Sequence, residues 1–306
     1  MTAIADYMDT SHSNTGLRGT LLENEPMARH TSWRIGGSAD QFYQPVDLED
    51  LKIFLQQLSP DMPITWIGLG SNVLVRDGGL RGVVIYPHKG LVELVLVDKK
   101  TIYAQVGLPG AKIARFSVNK ELQGAEFMAG IPGTLGGALA MNAGAFGSET
   151  WDIVLAVETI DAKGEIRKRP AADYEPGYRS LQQPAPEWFV GAFLGLQSGS
   201  FAEGRERIRS LLAKRASTQP TNLANAGSVF RNPPGDYAAR LIEAAGLKGY
   251  CIGKAMVSEQ HSNFIINVGS ATAVDVELLI KKIQTEVKRK FDVLLQPEVR
   301  IIGEQA

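Results

Sequence analysis

An eighteen-residue segment near the middle of the chain, Gly130 to Gly147, contains six glycines separated mostly by small side chains. Each glycine inside a helix costs about 1 kcal/mol relative to alanine, so this composition argues against a helix. A surface loop would be more polar. Glycine lets the backbone adopt positive φ and approach a ligand closely, and successive exposed N–H groups bind anions such as phosphate. The segment, called the glycine run below, therefore predicts a nucleotide or dinucleotide site, with close packing between two domains as the alternative.

A second glycine-containing loop covers Gly68, Leu69, Gly70, Ser71 and Asn72. Its spacing differs from the G-x-G-x-x-G fingerprint, and an apolar strand-like stretch rather than a helix follows it, which argues against a Rossmann fold. We expect a strand–loop–strand turn that offers N–H groups and the serine hydroxyl to a pyrophosphate, or else a plain tight turn. Two such loops in one chain favour two walls of one cleft, and a long, bent ligand such as FAD suits them better than a mononucleotide.

Length and charge exclude several classes of protein. A chain of 306 residues is long enough for two or three domains. The net charge of −1 gives no support for nucleic-acid binding. The N-terminus has no apolar segment typical of a signal peptide, and no apolar run reaches the roughly 18 residues that a membrane helix needs. We therefore expect a cytoplasmic protein with neither nucleic-acid nor membrane partners.

The single cysteine, Cys251, excludes an internal disulfide and a cysteine zinc cluster. Because it lies between Tyr250 and Ile252, we expect a buried structural thiol. No metal site is predicted.

Apolar periodicity predicts the main elements. A helix beginning after Asp47 has an apolar face of Leu48, Leu51, Leu55 and Leu58, and Thr272 is predicted to cap a long helix that ends near Lys290. The composition changes near residues 198–202. We expect a flexible extension over 1–24, a body over 25–198 with subdomains of about 25–90 and 91–198, and a separate domain over 199–306.

Three polar side chains stand out as candidates for chemistry. Ser228 lies in a loop that lacks the G-x-S-x-G pattern of hydrolases, and no histidine is placed beside it by the sequence, so it is a hydrogen-bond or proton donor or a plain turn serine. Arg179, in a turn bounded by Gly and Pro, is either a carboxylate or phosphate clamp or a surface charge. Glu298 leads a terminal apolar strand, where a charge marks a strand end or a site.

Taken together, the motifs of this chain resemble the UDP-N-acetylenolpyruvoylglucosamine reductase (MurB) family of flavoenzymes in peptidoglycan precursor synthesis. The match runs from about residue 25 to the C-terminus, and an ordered series of motifs is far more specific than any one of them. The motifs lie at residues 30–37, 68–79, 124–133, 136–147, 178–179, 226–233, 261–267 and 297–303.

The resemblance implies an α+β fold. Residues 25–198 would form an FAD-binding domain of the vanillyl-alcohol-oxidase (PCMH) type in two subdomains, and residues 199–306 an α+β substrate-binding domain. The chain length resembles the shorter class, which lacks an inserted tyrosine loop. The family implies a UDP-N-acetylmuramate dehydrogenase in which NADPH reduces FAD and the reduced flavin reduces an enolpyruvyl nucleotide sugar. We expect a monomer or weak oligomer. The alternatives are a flavin oxidase or dehydrogenase with another substrate and a nucleotide-binding protein without chemistry.

The family's functional positions fall on particular residues of this sequence. Ser228 matches its proton donor, and Arg179 and Glu298 match the pair that acts on the enolpyruvyl carboxylate. An ionised carboxylate would repel that group, so we expect burial to raise the pKa of Glu298. The implied FAD contacts are Gly68, Gly70, Ser71, Asn72, Gly130, Ile131, Pro132, Gly133, Gly136, Gly137, Asn142, Ala143 and Gly144.

The implied substrate contacts are Tyr178, Arg215, Arg231 and Asn232. One departure concerns the substrate's phosphates. Thr218 stands where the family often has a lysine, so phosphate binding would rely on Arg215, Arg231 or another cation.

Overall fold

The structure, a computed structural model, describes residues 16–306, so residues 1–15 of the predicted extension lie outside the described residues. Helices and strands alternate along this range, as expected for a mixed α and β chain. The α-helices of the described residues are α1 (Leu48–Gln57), α2 (Gly110–Asn119), α3 (Leu135–Ala140), α4 (Phe201–Thr218), α5 (Ala238–Ala244) and α6 (Ala273–Phe291). None of these helices is long and apolar enough to span a membrane.

The first sheet has four strands, in the spatial order Thr20–Pro26, Ser38–Gln44, Leu80–Ile85 and Ile64–Trp66. The first two strands pair antiparallel and the others parallel. Residues 20–24 therefore belong to a strand, and the prediction of a flexible segment up to residue 24 is wrong for them. The sequence did not predict this strand because its residues show no apolar alternation. The strand lies at the sheet edge and its first five residues are exposed.

The second sheet is antiparallel, with the spatial order Ile166–Pro170, Val154–Ile160, Trp188–Gly195, Thr101–Gln105 and Leu94–Leu96. A large apolar cluster packs against this sheet and joins it to α1 and α2. Ile208 of α4 is buried in the same cluster. The predicted boundary at 199 separates α4 from α2 and the segment Glu126–Gly130, against which it packs, and we propose instead that the division lies near residue 219.

The C-terminal part has a small antiparallel sheet in the order Ala224–Asn225, Ile265–Asn267, Ala255–Val257 and Cys251–Ile252, covered by α5 and α6. Thr272 caps α6 as predicted, since its hydroxyl accepts a hydrogen bond from the Asp275 N–H. Cys251 is exposed rather than buried, so that prediction is wrong. Its strand lies at the edge of the sheet, and an apolar neighbour on each side does not show which way a strand residue faces.

Two contacts join the C-terminal part of the chain to its N-terminal part. Arg300–Ile302 pairs in parallel with Val73–Val75, which directly follows the loop 68–72. Trp33 is fully buried in the C-terminal cluster, and its Nε1 donates a hydrogen bond to the Ile265 carbonyl over 2.7 Å. The strand pairing brings Glu298, two residues before Arg300, beside the loop 68–72.

The glycine run contains helix α3, contrary to the prediction that its composition excludes a helix. The helix is only six residues long. Contacts outside the helix hold its first turn, because Leu135 donates its N–H to the Leu108 carbonyl and Gly136 donates to Val106. A Cβ on Gly136 would lie 3.1 Å from the Val106 Cβ, so the small residue permits this close approach to the sheet. Tertiary contacts thus override the low helix propensity of glycine.

Candidate active site

The two glycine-containing loops lie against each other, as their composition suggested. The Ser71 hydroxyl donates a hydrogen bond to the Pro132 carbonyl over 3.1 Å. A Cβ on Gly68 would lie 2.5 Å from the Thr134 Oγ1, and one on Gly133 would lie 2.7 Å from the Ser71 Oγ. The loops therefore approach at a distance that larger residues would prevent.

Backbone donors are concentrated in the loop 68–72. None of its N–H groups donates a hydrogen bond to another group within residues 16–306. Gly70 has φ +59°, and a Cβ there would overlap the backbone of His30, so only glycine suits the position. A series of free N–H groups next to a positive-φ turn is the backbone arrangement that binds phosphate oxygens.

Gly137, on the opposite wall, faces open space. A Cβ at this position would meet no atom of the described residues within 4 Å. Its N–H belongs to the first turn of α3 and makes no hydrogen bond within the described range. The bare backbone of Gly137 and the free donors of the loop 68–72 are the features on which a phosphate-bearing cofactor could lie.

Other glycines of the run pack locally, against residues of the run or directly after it, which differs from the packing between two domains given as the alternative. A Cβ on Gly130 would lie 2.6 Å from the Phe146 ring, and one on Gly144 would lie 2.8 Å from the Ser148 carbonyl oxygen. At both glycines, other residues of the protein occupy the space where a Cβ would lie. Substitutions there are expected to disturb the fold directly.

Two further residues of the run use their backbone N–H groups within the protein. Ile131 donates to the Met128 carbonyl over 3.2 Å and Ala143 to the Ala138 carbonyl over 2.9 Å. Any contact that they make with a cofactor must therefore use other atoms.

Asn142 is buried, and its side chain is fully engaged. Its Oδ1 accepts a hydrogen bond from the Trp151 N–H over 3.1 Å, while its Nδ2 donates to a Glu149 carboxylate oxygen over 2.7 Å and to the Gly177 carbonyl over 3.2 Å. Gly177 directly precedes Tyr178 and Arg179. Asn142 thus connects the glycine run to the turn that carries the candidate arginine.

Asn72 makes the corresponding connection on the other wall. Its Nδ2 donates to the Glu298 carbonyl over 3.1 Å, and its own carbonyl accepts from the Arg300 N–H over 3.0 Å. Its side chain positions the segment that carries the candidate glutamate.

One cavity of about 140 Å³ brings together five of the residues singled out in the sequence. They are Tyr178, Arg179, Ser228, Asn232 and Glu298. We call this cavity the Ser228 pocket. Residues separated by up to 120 positions meet here because the turn at 178–179, the loop at 226–232 and the segment before the last strand converge.

Arg179 and Glu298 form the charged centre of the Ser228 pocket. The Arg179 Nε lies 3.0 Å from the Glu298 Oε1, but this N–H is not aligned to make a hydrogen bond. Burial raises the pKa of the Glu298 carboxyl, while the nearby Arg179 and Arg231 guanidinium groups oppose the rise. The direction agrees with our expectation from the sequence, because loss of hydration disfavours the charged form.

Ser228 and Glu298 are held by neighbouring backbone bonds. The Glu298 N–H donates to the Val229 carbonyl over 2.7 Å, and the Val229 N–H donates to the Asn263 carbonyl over 2.9 Å. The Asn263 side chain also donates to the Phe230 carbonyl and accepts from the Phe230 N–H. The loop bearing Ser228 is therefore fixed between two segments.

The other predicted substrate residues have different positions. Arg231 does not line the Ser228 pocket, and its Nη2 donates to the Arg179 carbonyl over 3.1 Å. Arg215 also lies outside the pocket lining; its Nε donates to the Gln219 Oε1 over 3.3 Å, and burial lowers its pKa.

Asn232 lines the Ser228 pocket but has a partner within the protein. Its Oδ1 accepts a hydrogen bond from the Ala238 N–H over 3.0 Å. This bond orients the amide and leaves the Nδ2 donors for a ligand.

His261 is a pocket residue that the sequence did not predict, because no sequence pattern places it near Ser228. It lines the same cavity. Its Nδ1 accepts a hydrogen bond from the Asn263 N–H over 3.3 Å, so the ring proton lies on Nε2, and burial lowers its pKa. His261 and Ser228 are 33 positions apart in the sequence and share no motif, so only the fold shows that they are neighbours.

Comparisons with known proteins divide the chain in a similar way. Residues 39–169 match the family model described as an FAD binding domain. Residues 219–302 match the family model described as UDP-N-acetylenolpyruvoylglucosamine reductase, C-terminal domain. The two matches support an FAD-binding part followed by a distinct C-terminal part and confirm the predicted fold class.

Relatives named UDP-N-acetylenolpyruvoylglucosamine reductase match nearly the full chain. The Methylococcus capsulatus protein is 56% identical over 287 residues, which are 94% of each chain. The Legionella pneumophila (strain Philadelphia 1) protein is 51% identical over 298 residues, 97% of this chain and 96% of the relative. The crystal structure of the Thermus caldophilus reductase (MurB) superposes with a TM-score of 0.80 at 30% identity and covers 94% of this chain and 100% of that one. The chain therefore belongs to the UDP-N-acetylenolpyruvoylglucosamine reductase family.

Proposed function

We propose that this protein is an NADPH- and FAD-dependent UDP-N-acetylmuramate dehydrogenase. It reduces the enolpyruvyl group of UDP-N-acetylglucosamine-enolpyruvate to give UDP-N-acetylmuramate for peptidoglycan synthesis. One observation carries this proposal: a single pocket brings together Ser228, Arg179 and Glu298. A hydrogen bond from the Asn72 side chain to the Glu298 carbonyl joins this pocket to the loop 68–72. Family membership agrees with it.

The residues of the cleft fit FAD. The free N–H groups of the loop 68–72 would hold the pyrophosphate, and the bare backbone at Gly137 would lie along the cofactor. When bound, FAD supplies hydride transfer from NADPH to the enolpyruvyl double bond. Gly130 and Gly144 would support this surface indirectly, since their Cβ sides face other residues of the protein.

Arg179 stabilises the charge that develops during reduction. When the terminal carbon of the enolpyruvyl group accepts hydride, negative charge grows on the neighbouring carbon and on a carboxylate that is already charged. A fixed guanidinium pairs with that carboxylate and favours the transition state over the ground state. Because Arg179 is partly buried, this interaction is weakened less by water than it would be at the surface.

Ser228 and Glu298 complete the reaction. The Ser228 hydroxyl delivers the proton to the carbanion carbon, since even a weak acid can protonate so strong a base. The Glu298 carboxyl helps in its protonated form, because a second anion beside the substrate carboxylate would raise the barrier. Its raised pKa favours that form.

The overall activity is tested by two anaerobic half-reactions on the purified holoenzyme. NADPH should bleach the flavin absorbance, and the enolpyruvyl nucleotide sugar should then restore it with formation of the saturated product. Failure of the substrate to reoxidise a flavin that other oxidants do reoxidise would refute the proposed substrate. A protein that lacks a flavin absorbance band when purified and takes up no FAD would favour a nucleotide-binding protein without chemistry.

Glu298 should give the substrate half-reaction a pH dependence. Because the folded-state pKa is raised, the carboxyl is protonated at low pH and ionises as the pH rises through that value. The rate of reoxidation by substrate should therefore fall as the pH rises through the raised pKa. Glu298→Gln, which stays neutral, should remove this decline. A wild-type rate that rises through the same range would show that the ionised form is required.

A further inference from the structure

Arg179 lies in a strained backbone conformation. It is the second residue of the two-residue turn that joins the strands Glu175–Gly177 and Ser180–Gln182. Its φ is +53°, in the left-handed region that a side chain with a Cβ disfavours. Such a conformation persists where neighbouring groups hold it in place. The turn therefore needs an external contact to keep the Arg179 guanidinium beside Glu298.

Arg231 makes that contact. Its Nη2 donates a hydrogen bond to the Arg179 carbonyl over 3.1 Å. The Arg231 backbone is itself anchored, since its N–H donates to the Gln296 carbonyl over 2.9 Å, and the adjacent Phe230 pairs with Pro297. The bond therefore connects the C-terminal part of the chain, which carries Ser228, to the turn that carries Arg179.

The surroundings of Arg231 argue against an ordinary surface charge. Its Nε is buried and has no hydrogen-bond partner in the described chain, and within residues 16–306 its guanidinium forms no ion pair with a carboxylate. Its charge does act through space on Glu298, where it opposes the rise in the pKa of the carboxyl. The one side-chain hydrogen bond that Arg231 makes within residues 16–306 goes to the Arg179 carbonyl, so its polar end is engaged with the turn.

Its position also argues against direct contact with the substrate. Arg231 is absent from the lining of the Ser228 pocket, whereas Arg179, Asn232 and Ser228 all line it. The hydrogen-bonding end of its side chain is directed at a backbone carbonyl of the protein. This bond uses one Nη2 N–H, and the Nε N–H is buried, so fewer donors of the guanidinium are left to reach a ligand.

We propose that Arg231 is a positioning residue that fixes the Arg179 turn for catalysis, rather than the phosphate-binding cation that the sequence suggested. The inference rests on the proposed function, because the effect is measured on the reduction of the enolpyruvyl substrate. A displacement of the Arg179 guanidinium by about 1 Å is enough to cost about 100-fold in rate.

The test compares Arg231→Met, Arg179→Met and the double variant as holoenzymes. Single-turnover reoxidation by the enolpyruvyl nucleotide sugar is followed at increasing substrate concentrations. We expect Arg231→Met to lower the limiting rate about 10- to 100-fold, with half-saturation and NADPH reduction little changed. In the Arg179→Met background, the Arg231 change should cause no further loss, since it acts through Arg179.

Two variants serve as controls. Arg231→Lys keeps a charged donor and should recover much of the lost rate. Arg289→Met removes an exposed arginine of α6 that pairs with Glu286, and both half-reactions should be unchanged.

Three results would overturn the inference. If Arg231→Met raised the half-saturation concentration and left the limiting rate unchanged, Arg231 would bind substrate. If the losses of the two single variants multiplied in the double variant, Arg231 would not act through Arg179. If Arg231→Met slowed flavin reduction by NADPH equally or lost flavin, its role would be structural. A wild-type enzyme that fails to use the substrate would instead refute the proposed function, and this is seen before any variant is made.

Discussion

Replacing Ser228 by alanine is expected to slow oxidation of the reduced enzyme by the enolpyruvyl nucleotide sugar by at least about 100-fold, the scale of general acid catalysis. Reduction of the flavin by NADPH should remain nearly unchanged, because that step needs no proton from this hydroxyl. The two rates are separated by anaerobic stopped-flow measurements of flavin absorbance. The ratio of the two rates, rather than overall turnover, is the decisive quantity.

Ser262→Ala is the matched control for this experiment. Ser262 is buried and lies one residue from His261, but it does not line the Ser228 pocket and its hydroxyl has no hydrogen-bond partner among the described residues. Removing that hydroxyl should leave both half-reactions intact. If Ser228→Ala slowed both half-reactions together, the assignment of Ser228 as proton donor would be wrong.

The local structure makes the serine variant interpretable. The Ser228 loop is fixed by the backbone N–H groups on either side: the Val229 N–H donates to the Asn263 carbonyl, and the Gly227 N–H donates to the Asn225 Oδ1. None of these bonds uses the serine hydroxyl. A loss of rate in Ser228→Ala therefore reports the chemistry of the hydroxyl rather than a displaced loop.

Elements with strong local signals were predictable from sequence. Thr272 caps α6 as the sequence predicts, and α1 begins directly after Asp47, whose side chain caps it, because a capping side chain acts on N–H groups only a few residues away. The edge strand Thr20–Pro26 and helix α3 were not predictable in the same way. The strand is nearly all exposed, and the helix depends on backbone bonds to the Val106 region.

The site shows the same division between local and long-range information. Ser228, Arg179 and Glu298 were selected through ordered motifs, and no motif states that their side chains share a cavity. His261 and the bond between Arg231 and the Arg179 carbonyl depend on contacts between distant segments. The sequence could name the residue types needed, but it left the phosphate-binding cation open between Arg215, Arg231 and another cation, because charge alone does not show what a guanidinium contacts.

Replacing Gly137 by leucine is expected to abolish most FAD binding without unfolding the protein. A Cβ at this position would meet no atom of residues 16–306 within 4 Å, so the new side chain would occupy the open space where the cofactor is proposed to lie. Gly137 belongs to α3, and leucine has a higher helix propensity than glycine, by roughly 0.8 kcal/mol. The apoprotein should therefore be at least as stable as the wild-type apoprotein.

The measurements for Gly137→Leu are flavin content after purification, FAD titration and thermal unfolding of the apoprotein. Gly269→Leu provides a matched control, since that glycine is also exposed and unobstructed but lies next to the strand Ile265–Asn267 of the C-terminal sheet. It should retain flavin. Gly136→Leu should instead lower stability, because its Cβ would press against Val106. A folded Gly137→Leu protein with normal FAD affinity would show that the cofactor does not lie on this wall, since a side chain there would leave no room for it.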